Sequence, residues 1–193
     1  MRLLALDLGT QTGWCQSWID HQIARVQASG TVSFKPRSYE GAGMRFLKFK
    51  QWLDTANTLG IDWICFEEVK QRPLSVAAGH VYGGLLATLM TWCEVHSVPY
   101  EPIPAGTIKK FWTGKGNSGK EIMIRVARER GFKPKDDNEA DAIAIHHLML
   151  HRIENNEAPG NRVQRPALDR KPRSRIQVEV VSVASRRVRI REG

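Results

Sequence analysis

The segment LLALDLGTQTGW, residues 3–14, sets one carboxylate, Asp7, in an otherwise apolar run and follows it with Gly9 and Gly13. Such a run reads as a buried strand leading into a tight turn. A charged side chain embedded there is costly unless it meets a cation, a metal ion or a ring of hydrogen-bond donors. A chain that ends a core strand on an acid must therefore bring a counter-charge, or further ligands for one, to the same strand end.

The remaining pattern says what surrounds that strand. RLLALDLG, GWCQSWI and SGTVSF are rich in β-branched, aromatic or alternating apolar residues and predict three consecutive strands, a meander. Past the loop around Pro36 to Gly43, Phe46, Phe49, Leu53 and Ala56 recur at spacings of 3, 4 and 3, one apolar stripe on a helix. IDWICFEE predicts a fourth strand. RPLSVAAGHVYGGLLATLMTWCEVHS reads as a long apolar helix opened by Pro73, and YEPIP as a brief fifth strand. AGTIKKFWTGKGNSGKEIMIRVARERG reads as helix, glycine-rich loop and helix with Gly131 as C-cap, and DDNEADAIAIHHLMLHRI as a final helix. The order, β-β-β-α-β-α-β followed by helices, is a mixed α/β layout with a parallel component and no internal repeat.

The texture changes after Glu154. Residues 1–154 form one domain of ordinary size, and 155–193 a basic extension whose Pro159, Pro166 and Pro172, with few apolar residues, read as a disordered or loosely tethered linker. Its end, RIQVEVVSVASRRVRIREG, alternates enough to admit one or two strands. The chain carries 29 Lys+Arg against 20 Asp+Glu, a net +9 that points to a polyanionic partner, nucleic acid before an anionic membrane. The extension holds ten Arg+Lys and four Asp+Glu, so +6 of that charge lies in a segment suited to a phosphate-binding arm.

Cys15, Cys65 and Cys93 are widely spaced, lack any CxxC pairing and read as small core residues of a protein in a reducing cytoplasm. Asp7 and Gly9 interrupt the apolar start before a signal peptide could form. VAAGHVYGGLLATLMTWC is interrupted by His80 and three glycines and reads as a buried or interface helix of a soluble protein, not a membrane span.

Two more acidic positions interrupt apolar runs: Glu67-Glu68 ending the fourth strand, and Asp141 near the start of the last helix. Strand alternation puts Trp63, Cys65 and Glu67 on one face and Ile64, Phe66 and Glu68 on the other, so one of the two glutamates can share a pocket with Asp7. Asn138 and Asp137 precede Asp141 by three and four residues, and Ile145 and Leu148 continue its face toward the core, which aims Asp141 inward. Asp137 can reach the same pocket or cap the helix. Glu139 sits at capping-box spacing from Asp136. Carboxylates converging from separate elements repel one another unless a hard dication lies between them, and Mg²⁺ is the usual one. Two such ions align a water and stabilise the leaving oxygen in phosphodiester hydrolysis.

LALDLGTQTGW, ICFEEV and NEADAIAI, in this order, resemble the RuvC-like Holliday junction resolvases of the ribonuclease H superfamily, particularly phage-type members, over roughly residues 1–150. The resemblance implies a ribonuclease H-like fold with a mixed five-stranded sheet flanked by helices, followed here by the basic tail. It also implies a homodimer and Mg²⁺-dependent paired incision of four-way DNA junctions. By motif position, Asp7, Glu67 and Asp141 match the family's strand aspartate, strand glutamate and helical aspartate. Lys109 and Lys120 fall on its two functionally important lysines. The position commonly aspartate, three before Asp141, is Asn138, whose amide oxygen binds Mg²⁺ more weakly; Mn²⁺ is expected to suffer less and to support activity. Lys70 stands where bacterial members carry an aromatic.

TIKKFWTGKGNSGK interleaves Lys109, Lys110, Lys115 and Lys120 with Phe111, Trp112 and glycines, a composition suited to phosphate contacts. It lacks the spacing of a Walker A loop. Trp112 reads as core, His147 and His151 as surface residues. On one helix, Ala77, Ala78, Gly79, Gly83, Gly84 and Ala87 offer a small apolar surface for a second copy or for the sheet. DLGTQT also resembles the phosphate loop of sugar kinases and actin-like ATPases, but the second domain and second motif those need are absent. Two other activities stay open: an RNA nuclease of the same superfamily, and a nuclease-deficient junction-binding protein, motivated by Asn138.

Overall fold

A computed structural model of the chain describes residues 1–20, 23–69, 75–155, 157 and 177–180. Strands β1 (Arg2–Asp7), β2 (Gln11–Asp20) and β3 (Ile23–Ser33) form the expected meander, with antiparallel β1–β2 and β2–β3 pairs. Helix α1 (Met44–Ala56) and a short 3₁₀ turn (Asn57–Leu59) lead to β4 (Trp63–Glu68), which lies parallel to β1. Helix α2 (Val76–His96) returns the chain to β5 (Tyr100–Pro104), parallel to β4. Three helices follow: α3 (Ala105–Thr113), α4 (Lys120–Glu129) and α5 (Asp137–Glu154).

The sheet order is β5-β4-β1-β2-β3-β6, where β6 (Gln177–Val180) comes from the extension and pairs in parallel with β3. The five expected strands are thus joined, among the described residues, by a sixth at the β3 edge. That hydrogen-bonded cover protects an edge that would otherwise invite pairing with another chain.

Alternation along β1 and β4 divides the core into two layers. Leu3, Ala5, Trp63 and Cys65 pack with α3, α4 and above all α5, whose Ala140, Ala142, Ile143, Ala144 and Ile145 are buried. Leu4, Leu6, Ile64 and Phe66 pack with Phe49 and Leu53 of α1 and with Leu85, Leu89, Trp92 and Cys93 of α2. All three cysteines are buried and free. Helix α2 has the length and apolar composition to cross a membrane. One stripe of it is buried against the sheet, while Val76, Met90 and Val95 are exposed.

Several boundaries differ from expectation. β3 begins at Ile23, not near Ser29, because the β2–β3 ladder continues past an irregularity at Gln16/Ser17, and such a bulge masks a regular period. Helix α2 opens at Val76 with Ser75 as N-cap, its hydroxyl accepting from the Ala78 N–H at 3.1 Å. Pro73 and Lys70 lie outside the described residues, as does most of the extension. Gly114 and Gly131 take left-handed φ values of 82° and 88° after α3 and α4, the conformation that ends a helix at low cost on glycine.

Candidate active site

The β1–β4 register sets Leu3, Leu4, Ala5 and Leu6 beside Trp63, Ile64, Cys65 and Phe66. Continued by one step, it carries Asp7 and Glu67 to the same strand ends. Both have the parity of Ala5 and Cys65, so they point to the α5 face, while Glu68 has the parity of Phe66 and points to the other.

Gly13 brings the third acid. It stands opposite Asp7 in the β1–β2 ladder, and a Cβ built on it would lie 1.9 Å from the Asn138 carbonyl oxygen. The first turn of α5 therefore rests directly on β2 beside Asp7, an approach that only glycine permits. Gly13 is thus a β2 residue with a packing role, not part of the turn read from the sequence.

Side chains lock that contact. Asp136 is the α5 N-cap, its Oδ1 accepting from the Glu139 N–H at 2.9 Å and from Thr31 Oγ1 at 2.6 Å. Glu139 is buried; it accepts from Ser29 Oγ at 2.6 Å and, on its other oxygen, from the Lys135 N–H at 2.9 Å. The capping-box spacing is used one residue further back than in the usual form. β3 hydroxyls thus clamp the start of α5, and Asp141 follows one turn later, half-buried, toward Asp7.

The electrostatics record the convergence. Burial, then the charges of Glu67, Asp141 and Asp137, raise the Asp7 carboxyl well above its ordinary range, with Lys120 opposing. Asp141 is pushed up to about 7, by burial first and by Glu67 next, against the pull of Lys109 and Lys120. Burial raises Glu67, which Lys109 counters. The other acids' charges thus disfavour ionisation of Asp7 and Asp141, and the ammonium groups of Lys109 and Lys120 oppose that.

The donor set fits a hard cation. All the acidic ligands are oxygen donors, and Asp141 Oδ1 is buried with no hydrogen-bond partner, an acceptor that a metal ion would satisfy. Like charges oppose a closer approach of the three, and among the described residues no three His, Cys, Asp or Glu side chains stand at metal-ligand spacing.

The surrounding residues sort as follows. Lys120 pairs with Asp137, which is therefore neither the helix cap nor a free acid. Lys109 is half-buried beside the cluster, whereas Lys110 and Lys115 are exposed. The loop carrying Lys115 is fixed by Thr113, whose hydroxyl donates to the Lys115 carbonyl at 3.0 Å and lies 2.6 Å from Ser118 Oγ. Trp112 is core, 2% exposed, with the Arg130 guanidinium 4.1 Å above its ring. His151 is exposed as expected, but His147 is not a surface residue. It packs between Trp112 and Phe132, and burial lowers it to about 4. Helical spacing sets it off the Asp141 face, and Trp112 of α3 and Phe132 cover that side.

No protein-family model and no curated protein sequence matches the chain. Solved structures do. Thermus thermophilus RuvC matches over 79% of this chain and 96% of its own, with 22% identity and a TM-score of 0.63. The same protein in complex with a Holliday junction substrate gives 20% identity and a TM-score of 0.65. The fowlpox virus Holliday junction resolvase matches over 78% of this chain and 99% of its own, with 10% identity and a TM-score of 0.54. The chain has the RuvC-like ribonuclease H fold. At these identities the likeness establishes the architecture, and activity has to be argued from the site.

Proposed function

We propose that this protein is a metal-dependent, structure-selective endonuclease that resolves four-way or related branched DNA junctions by hydrolysing phosphodiester bonds. The observation that carries the reading is the convergence of Asp7, Glu67 and Asp141 from two strands and a helix, with a buried carboxylate oxygen of Asp141 left unpartnered. The same fold in proteins solved with junction DNA supports the choice of substrate.

In this reading Asp7, Glu67 and Asp141 hold the metal, with the neutral Asn138 as a weaker fourth ligand. Bound there, Mg²⁺ or Mn²⁺ supplies an activated water and charge to stabilise the leaving oxygen. Lys109 and Lys120, already drawn to the rim of the cluster, meet the phosphate at the cut. The exposed Lys110 and Lys115 and the +6 extension hold flanking phosphates, which position the duplex arms without reading sequence. Two copies joined through the exposed side of α2 would present two such sites to one junction. The protein acts in the cytoplasm of a bacterium or of a phage-infected host.

The test uses purified protein with four-way, three-way, flap and linear duplexes in Mg²⁺ or Mn²⁺, with the cuts mapped. Wild type is expected to incise the four-way junction, whereas Asp7→Asn, Glu67→Gln and Asp141→Asn bind it and lose cleavage by at least about a thousandfold. Cleavage confined to structured RNA would establish an RNA nuclease instead, and tight junction binding without incision in either metal a binding protein.

A further inference from the structure

Glu67 and Glu68 are consecutive, so the orientation of two peptide units decides which of them meets Asp7 and Asp141. The register pairs of β1 with β4 stop at Leu6 and Phe66, one residue short of that choice. Beyond them Glu67 and Glu68 remain in register with Ile103 and Pro104 of β5, and the backbone there also meets a side chain. The Tyr82 hydroxyl, on α2, donates to the Glu67 carbonyl oxygen at 3.2 Å and accepts from the Val69 N–H at 3.1 Å. One phenol thus brackets Glu68 on both sides and holds the two peptides flanking it. The ring is half-buried and packs against the α1–α2 core layer. The phenol is close enough to the cluster for the charges of Glu67, Glu68 and Asp7 to raise it, after burial.

We propose that Tyr82 is a positioning residue for the acidic cluster: by clamping the end of β4 it keeps Glu67 turned toward Asp7 and Asp141. The inference rests on the endonuclease reading for what Glu67 does, and on the two hydrogen bonds for how it is held. Because the hydroxyl is both donor and acceptor here, phenylalanine loses both bonds while keeping the ring. Partners of this outer kind are worth about 10–100-fold in metal affinity when removed.

The experiment measures Mn²⁺ binding to the DNA-free protein by calorimetry, together with exchange of the Val69 amide. Tyr82→Phe is expected to weaken Mn²⁺ binding about tenfold, speed Val69 exchange, and lower kcat for junction cleavage with KM unchanged. Tyr82→Met removes the hydroxyl with a different side chain and must weaken Mn²⁺ binding too, so poor repacking of one variant does not decide the outcome. Tyr100→Phe, which takes a hydroxyl from Glu94 at 3.0 Å, is the control that leaves Mn²⁺ binding unchanged. Wild-type Mn²⁺ affinity in folded Tyr82→Phe overturns the inference. Mn²⁺ binding that survives Glu67→Gln overturns the metal site itself, whatever Tyr82 does.

Discussion

Asp141 lies one turn into α5 with its carboxyl pushed up to about 7, chiefly by burial and then by Glu67. A carboxyl whose folded pKa is raised binds its proton more tightly in the native state than in the unfolded chain. Its contribution is therefore fully present below its unfolded value near 3.8 and is lost as the pH climbs through about 7. Above that pH the metal-free protein holds an ionised, unpartnered carboxylate beside two others, and the native state is weakened. Asp141→Asn removes that charge. At pH 8 without metal the variant is expected to be more stable than wild type by about 2 kcal/mol, a melting temperature higher by roughly 4–8 °C. At pH 4 the difference should vanish. His146 and His147, both lowered by burial, destabilise the protein below their unfolded value of 6.5, but they do so equally in both proteins and cancel from the comparison. Calorimetric scans at the two pH values check this; a variant less stable at pH 8 would mean that Asp141 is satisfied by protein groups.

α5 shows how an element carries the site and how far a sequence discloses it. Alternation alone separates Glu67 from Glu68, since Trp63 and Cys65 line one core layer and Ile64 and Phe66 the other. The β5 segment YEPIP coincides with Tyr100–Pro104, because prolines and a serine turn bound it sharply. What stayed hidden depends on separations in space. Gly13 reads as turn chemistry until α5 is seen to press on it. Asp137 reads as a cap or a pocket residue; Asp136 is the cap, and Asp137 pairs with Lys120 while its charge raises Asp7 and Asp141. The hydroxyls of Ser29 and Thr31 read as ordinary strand residues until Glu139 and Asp136 arrive more than a hundred positions later. Gly13→Ala tests the contact that sets this element. The new methyl meets backbone, which cannot rotate aside, so the variant should lose about 3 kcal/mol and melt roughly 6–12 °C lower, with Mn²⁺ binding weakened as α5 lifts from Asp7. Gly41→Ala, where a Cβ meets nothing within 4 Å, is the control, and equal melting of the two would show that α5 does not rest on Gly13.

For the whole molecule the proposed function sets the copy number, because a single cluster would cut one strand and resolving a junction would need two. The small residues of α2 divide between two roles. Gly84 serves the monomer: a Cβ there would stand 2.3 Å from the Phe46 ring of α1, so its space is taken within the chain. Gly83 meets nothing within 4 Å, and at helical spacing it shares an exposed side of α2 with Val76, Ala87 and Met90, and with the polar His80 and Glu94. A bare side with these small and apolar residues is suited to burial against its counterpart on a second copy, where small residues let two helices approach closely. Gly83→Arg is a clean test because the monomer has room for the side chain and glycine contributes little to a helix interior. The variant should fold, bind Mn²⁺ like wild type and show the mass of a single chain by light scattering at micromolar concentration, where wild type shows two. On a four-way junction it should leave single nicks in place of paired incisions. Wild-type mass and paired cuts in Gly83→Arg would remove α2 from the interface, and a monomeric wild type that still makes paired cuts would show that both strands are reached by one site in succession.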